Sequence, residues 1–407
     1  MALNIAMLSI HSSPIGDLGT QHTGGMSVYV REMAQALGRL GHRIDIFTQH
    51  NCGQQDPVLD LDDNVRLIHL TGGTNRNIVK SAIYEYLPNL LIDLKSFQNG
   101  QRTAYDVIHS HYWLSGVLGA MVQASWRIPH FITYHTIGAE KNRTGSTEKE
   151  PEVRLTSEKR LASECDGVIV PSRNDKEYLV RHYDALQDNI RIIPCGVNLE
   201  RFKPMDKNAA RRRLAFSDDA FIVLYVGRYS PVKGIDRLLR AVRHLEHLDP
   251  LRLVLVGGDG EHSRMYEHLH SMAKRLNIHR RVVFAGRVSH EILPAWYSAA
   301  DVLAVPSDYE SFGLVALEAL ACGTPVVATP VGAMTTIIQD GVTGYVADSL
   351  DAQHFARLVE SIVSKQHQGA FSQTEIRASV MGLTWEQSAS LLLETYQQRP
   401  DSQDTTT

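Results

Sequence analysis

Two stretches in the second half of the chain carry residue types suited to a diphosphate and a sugar. Gly227-Arg228, four further residues and then Lys233-Gly234 follow directly on the apolar run Phe221–Val226. An arginine fork and a lysine point charge at the mouth of a sheet suit a diphosphate, whose charge grows as the bond to it breaks. Two solvated cations flanking a helix start would explain this pair equally well when taken alone. Further on, a strand at Asp301–Val305 gives way to a loop carrying Glu310, Ser311, Phe312 and Gly313. A helix is expected from near Phe312 and Gly313, continuing through Leu314, with Glu318 about two turns in. Free amides at its start can take sugar or phosphate oxygens. Two carboxylates at this spacing can hold paired hydroxyls, one set on a hexose and one on a ribose. The plainer account makes Glu310 a dipole-offsetting charge and Glu318 a solvated face. Against it, Glu318 stands inside the otherwise apolar run Leu314–Ala321, where a buried carboxylate needs a partner.

The first half offers looser signals. His22-Thr23-Gly24-Gly25-Met26 lies between the first predicted strand and helix. Its glycine pair permits close backbone approach at a helix amino end, an anion-binding arrangement, though a plain turn explains the stretch as well. It is not a G-x-G-x-x-G fingerprint, and Asp45 lies within the second strand and not at its end, which weakens a dehydrogenase reading. His109-Ser110-His111-Tyr112-Trp113 and Tyr134-His135-Thr136 each end a predicted strand and so face a cleft. His109 reads better as a packing residue. His135 and Thr136, with Lys141 and Arg154 downstream, read as a polar wall for an acceptor.

The elements that must hold these residues alternate. Leu3–Ser9, Arg43–Thr48, Val107–Ser110, Phe131–Tyr134 and Val168–Pro171 read as strands, with a helix at Val28–Leu40 and further helical segments between them. The second half repeats the pattern at Phe221–Val226, Leu251–Val256, Val282–Ala285, Val302–Val305 and Val326–Ala328, with helices at Arg237–Leu245, Ser263–Leu276 and Leu314–Ala321. Such alternation predicts an α/β protein with mostly parallel sheets. Prolines and a glycine between Ile192 and Pro204 mark the linker. The expected division is a first domain at 1–195, a second at 196–383, a final helix within 384–400 and a mobile tail at 401–407. Two doubly wound domains facing each other make a cleft at the carboxyl ends of their sheets.

Length and composition agree with this. The 407 residues suit two domains, and 43% hydrophobic with 21% charged residues is ordinary for a globular protein. A net charge of -4 recruits neither nucleic acid nor an anionic membrane. Cys52, Cys165, Cys195 and Cys322 show no metal-ligand or disulfide spacing and read as buried free thiols. No signal peptide and no membrane span are expected, so the chain is placed in the cytoplasm. Peripheral contact through a surface helix and assembly as a homodimer are left open.

With these motifs in order, the chain resembles the family 4 glycosyltransferases of the GT-B fold over essentially its whole length. The resemblance implies retaining transfer of a hexose from a nucleotide sugar, usually a UDP-sugar, with no cofactor and no obligatory metal. It implies that Arg228 and Lys233 hold the diphosphate, Glu310 the sugar hydroxyls and Glu318 the ribose. Gly24 and Gly25 back the pyrophosphate, Ser311 to Leu314 complete the donor loop, and His135 contacts the donor sugar. The final helix is expected to cross back onto the first domain. His11-Ser12-Ser13-Pro14, the Gly24–Val30 stretch and His109–Gly116 are similar to the branch that joins N-acetylglucosamine to inositol phosphate in the mycothiol pathway. Sucrose-phosphate synthase is a second similar branch, with fructose 6-phosphate as acceptor. In the first, a Tyr, Thr, Arg and Lys grip the acceptor phosphate. Tyr112, Thr136 and Arg154 match, while Tyr84 stands where the lysine is expected; Lys80, one helical turn earlier, is the candidate substitute. A lipid or glycan acceptor, a 2-epimerase, a pyridoxal-phosphate phosphorylase and a non-catalytic sensor are the other readings weighed. The paired carboxylates, both cations and the acceptor wall disfavour the sensor.

Overall fold

The computed structural model describes residues 2–16, 24–50, 56–74, 78–101, 104–144, 149–258, 260, 263–367 and 371–398. His22, Thr23, Cys52 and the tail 401–407 lie outside them. Fourteen strands form two sheets among the described residues. The first contains β1 (Asn4–Leu8), β2 (Arg43–Gln49), β3 (Val58–Asp62), β4 (Val65–Leu70), β5 (Val107–His111), β6 (His130–Thr133), β7 (Gly167–Val170) and β8 (Ile190–Ile192), in the order β3-β4-β2-β1-β5-β6-β7-β8. The second contains β9 (Phe221–Val226), β10 (Leu251–Val256), β11 (Val282–Gly286), β12 (Val302–Val305), β13 (Val326–Ala328) and β14 (Gly344–Val346), in the order β11-β10-β9-β12-β13-β14. All pairings are parallel except β3 with β4 at one edge.

The strands form where the sequence is apolar on consecutive residues, because helices cover both faces. Ile5, Ala6, Met7 and Leu8 are fully buried, as are Val254 and Leu255 on both sides of β10. The expected strands all occur, with ends shifted by a residue or so. The pattern missed β3, β4, β8 and β14; β3 is a half-exposed edge strand and the others, except β4, have only three residues.

Strand order reverses between β1 and β5 in one sheet and between β9 and β12 in the other. Loops leaving the carboxyl ends of neighbouring strands diverge at such switch points and leave a crevice. Arg228 and Lys233 follow β9, Glu310 follows β12 and Tyr112 follows β5, so each lies at a switch point.

The chain passes from one sheet to the other after β8 and returns through the helix Trp385–Gln397, which packs on the helix Gly25–Arg39. The two crossings touch. The Val197 amide donates to the Leu383 carbonyl at 2.9 Å, and Val197 bridges Thr384. A Cβ on Gly196 would lie 2.2 Å from the Trp385 amide nitrogen, so no side chain fits there. The return is anchored by Tyr396, whose hydroxyl lies 2.7 Å from His109 Nδ1, while His109 Nε2 meets Thr133 Oγ1 at 2.9 Å. His109 is thus the satisfied packing residue that the sequence suggested. Among the described residues no helix is long and apolar enough to cross a membrane. Cys165, Cys195 and Cys322 are buried free thiols.

Candidate active site

The turn after β9 is shaped by glycine. Gly234 has φ +66°, and a Cβ there would meet the Pro306 carbonyl oxygen at 1.9 Å. The loop after β12 can therefore lie against the start of the helix Ile235–His244, which brings Lys233 to Glu310. Lys233 Nζ and Glu310 Oε1 are 2.6 Å apart, and Ser307 Oγ donates to the same oxygen at 2.8 Å. Arg237 pins the loop through Asp308 Oδ1 at 2.6 Å and the Pro306 carbonyl. Arg228 is exposed and has no carboxylate partner among the described residues. Lys233 is thus held in an ion pair that a ligand could open.

The helix carrying Glu318 runs Leu314–Ala321, with Gly313 at φ +102° as its N-cap. It starts later than expected, which leaves Glu318 just over one turn in. Phe312 is buried in the apolar core, so of this residue only the backbone faces the crevice. Ser311 Oγ donates to Asp175 Oδ2 at 2.5 Å, across from the first sheet. A Cβ on Gly25 would sit 3.7 Å from Leu314 Cδ1. The amino ends of helices Gly25–Arg39 and Leu314–Ala321 therefore face each other, and both expose free amides to the crevice. Gly24 is the N-cap of the first of these helices. Glu318 is 6% exposed and finds the partners its burial demands. His290 Nε2 is 2.9 Å from Oε1, and the Tyr297 hydroxyl donates to Oε2 at 2.7 Å. The solvated alternative for Glu318 is thereby removed.

On the other wall, Tyr112 and His135 end β5 and β6 with φ +74° and +59°. Side chains other than glycine's rarely adopt this region, and such residues cluster at functional sites. His135 Nε2 lies 2.9 Å from His111 Nδ1, and burial pushes the His135 pKa down to about 3, so the ring is neutral. Arg154 lies over the Tyr112 ring at 4.7 Å and donates to the Thr136 carbonyl and hydroxyl at 3.0 and 2.9 Å. Lys80 Nζ lies 5.1 Å from the same ring. Four residues spread over 75 positions of chain therefore meet at one point. Tyr84, by contrast, packs on Trp113, and the lysine beside the cluster is Lys80.

Arg154 is 1% exposed and is held by two carboxylates, Glu158 at 2.6 Å and Glu150 at 2.7 Å. Burial works against its charge, but Glu158, Tyr112 and Glu150 more than offset this and raise its pKa. Glu158 also accepts from the Gly138 amide at 2.8 Å and the Tyr183 hydroxyl at 2.5 Å. Lys141 pairs with Glu150. Lys80 is an exposed residue whose ammonium lies within this cluster. Desolvation first, then Arg154, Lys141 and Arg228, lower its pKa to about 8, with Glu150 opposing. Arg228 comes from the second sheet, so its field on Lys80 puts both walls of the crevice within electrostatic reach.

Sequence reading missed Glu150, Glu158, Asp175, His290 and Tyr297. The spacing Arg154-x3-Glu158 was a usable signal, since i,i+4 neighbours share a helix face, while Glu150 precedes the helix Glu152–Glu164. No local signal marks the other three, which join partners from distant chain.

The comparisons with known proteins fall on this arrangement. Residues 206–377 match the family model described as glycosyl transferases group 1, and residues 23–201 match glycosyltransferase family 4. The chain is 35% identical over 403 residues to the D-inositol 3-phosphate glycosyltransferase of Xylanimonas cellulosilytica, covering 97% of this chain and 96% of that one. Sucrose-phosphate synthase from Thermosynechococcus elongatus superposes with a TM-score of 0.89 at 34% identity, covering 97% and 98% of the two chains. HepE of Anabaena in complex with UDP-glucose shares the fold, with a TM-score of 0.76 at 20% identity over 97% and 99%.

Proposed function

The chain belongs to the group 1 and family 4 glycosyltransferases, and on that footing we propose retaining transfer of a hexose from a UDP-sugar to a small phosphorylated acceptor. The observation that carries the acceptor class is the convergence of Lys80, Tyr112, Thr136 and Arg154 on one point. An ammonium with no carboxylate partner among the described residues, beside a buried, twice-anchored guanidinium, suits a phosphate dianion and has little use for a neutral sugar. Inositol phosphate is the first candidate, after the relatives' name. Fructose 6-phosphate is the second, favoured by the likeness to sucrose-phosphate synthase.

In this reading Arg228 and Lys233 take the diphosphate, and Lys233 exchanges Glu310 for phosphate oxygens when donor enters. Glu310, still held by Ser307, is then free for the hexose hydroxyls. Glu318 takes the ribose. The amide-bearing helix starts at Gly25 and Leu314 flank the pyrophosphate, with Ser311, Phe312 and Gly313 contributing backbone groups. Two protein cations neutralise the leaving diphosphate, so no metal is needed in this scheme. The acceptor hydroxyl attacks on the face from which the nucleotide departs. Its oxygen bonds to the anomeric carbon as the carbon–phosphate-oxygen bond breaks, and its proton passes to the departing phosphate oxygen. His135, being neutral, contacts the donor sugar and steadies its developing positive charge by placement and not by proton transfer. The domain limits 1–195, 196–383 and 384–400 belong to the same reading.

The test is a UDP-release screen with UDP-glucose and UDP-N-acetylglucosamine, each offered inositol phosphate, fructose 6-phosphate or buffer. Release that requires one sugar phosphate, with product of unchanged anomeric configuration, supports the proposal. Release with buffer alone points to hydrolysis or epimerisation, and an inverted product removes the same-face mechanism.

A further inference from the structure

Glu318 ends a chain of polar contacts that begins on the other sheet's helix. Glu32, on Gly25–Arg39 and 2% exposed, accepts from Arg201 NH1 at 2.9 Å. Arg201 sits in the linker, where its own amide donates to Asn198 Oδ1 at 3.0 Å. The same guanidinium nitrogen lies 3.2 Å from His290 Nδ1. His290 Nε2 then lies 2.9 Å from Glu318 Oε1, and Tyr297 donates to Oε2. Glu32, His290, Leu314 and Glu318 line one crevice between the two helices.

The direction of each bond follows from chemistry. A guanidinium can only donate, so His290 Nδ1 must accept and carries no proton. The ring proton therefore sits on Nε2 and points at Glu318. Each Glu318 oxygen receives one donor from the protein and keeps lone pairs free for one further donor. Phe202 packs edge-on to the imidazole at 5.1 Å and limits its rotation. A carboxylate held at both oxygens has one orientation, which is what bidentate capture of a diol requires.

We propose that Arg201, His290 and Tyr297 are positioning residues that fix Glu318 for the nucleotide ribose, with Arg201 tying that geometry through Glu32 to the first domain. The proposal rests on the reading of Glu318 as the ribose carboxylate. It adds that ribose recognition depends on a linker residue that does not touch Glu318, and hence on how the two sheets sit against each other.

The test is calorimetric binding of UDP and of 2′,3′-dideoxy-UDP to the full-length protein, read as the ratio of their dissociation constants. The native ratio is expected on the order of 10²–10⁴, from two hydrogen bonds to a charged group. Glu318→Gln brings it close to 1. His290→Leu and Arg201→Met reduce it several-fold while leaving dideoxy-UDP binding unchanged, and Glu32→Gln has a smaller effect in the same direction. His290→Gln, whose amide can still donate to Oε1, retains most of the ratio and guards against a folding artefact in the leucine variant. If Glu318→Gln collapses the ratio but His290→Leu and Arg201→Met keep the native value, the relay is wrong and the ribose reading stands. If Glu318→Gln itself keeps the native ratio, Glu318 does not hold the ribose and the relay falls with it.

Discussion

The two walls of the crevice meet anions in opposite ways. On the second-sheet wall, Arg228 is exposed and unpaired among the described residues, and Lys233 is held by a single carboxylate that it can leave. On the first-sheet wall, Arg154 is buried and locked by Glu150 and Glu158 before any ligand arrives. One wall holds its cations loosely, and the other locks its arginine through folding. In the reading proposed above, the first wall is a preformed mould for a phosphate, whereas Lys233 must exchange one anionic partner for another as the donor enters. The contrast also separates what mutations should do, since a charge inside a locked cluster is tied to stability and a charge at an open mouth is tied to turnover.

The largest effect should come from the locked side. Arg154→Ala leaves Glu158 buried and unpaired, and denaturant melts should show a loss of about 3–5 kcal/mol. A loss below 1 kcal/mol would break the comparison by showing the cluster to be no tighter than a surface pair. Lys233→Ala should leave the melt unchanged and lower kcat/KM on the order of 10²–10³-fold, the cost of one donor to developing charge. Near-normal turnover would remove the diphosphate assignment.

Lys80 sharpens the contrast, being a cation of the locked wall with no carboxylate partner among the described residues. Its ammonium, with a pKa of about 8, is charged below that pH and lost above it. Acceptor KM should therefore rise as pH passes from 7 to 9, and Lys80→Met should raise KM about tenfold at pH 7 and flatten the alkaline limb. A pH-independent acceptor KM in the native protein would take Lys80 out of the site.

Asp175, between the walls, should give a smaller signal. Burial raises its pKa from 3.8 to about 8, and Oδ1 has no hydrogen-bond partner among the described residues. The folded state then holds a proton that the unfolded chain releases above pH 4, so stability falls from about pH 4 to pH 8 and levels off beyond. Asp175→Asn should remove that part of the slope in melts across this range. An unchanged slope would mean that the aspartate is ionised in the fold. Tyr84→Ala should change acceptor KM least, less than twofold, because Tyr84 packs on Trp113 away from Arg154. A larger loss than that of Lys80→Met would return the acceptor role to Tyr84.

The open wall was the legible one. Arg228, Lys233 and Glu310 each follow a strand by a few residues, and Glu318 lies in the helix that comes next, whose apolar run was legible although it starts later than expected. Apolar runs of four to six residues identify strands in a sheet covered on both faces, so most of the two sheets could be read in the same way. The antiparallel edge β3 could not, since it is half-exposed and lacks the continuous apolar signal.

By itself, then, the sequence determined the two parallel sheets, the cations and carboxylates at the mouth of the second, and the family. It did so because those features depend on local order: an apolar run, a glycine, a charge a fixed number of residues later. Only the tertiary structure decided that Lys80 and not Tyr84 joins Tyr112, that Glu158 and Glu150 lock Arg154, and that Glu318 is held by His290 and Tyr297. Each of those contacts joins residues from different elements, and which side chains meet is fixed by how strands order and helices pack. A buried charge carries no mark of its partner in the chain, because the low-dielectric interior that makes the partner necessary exists only after folding.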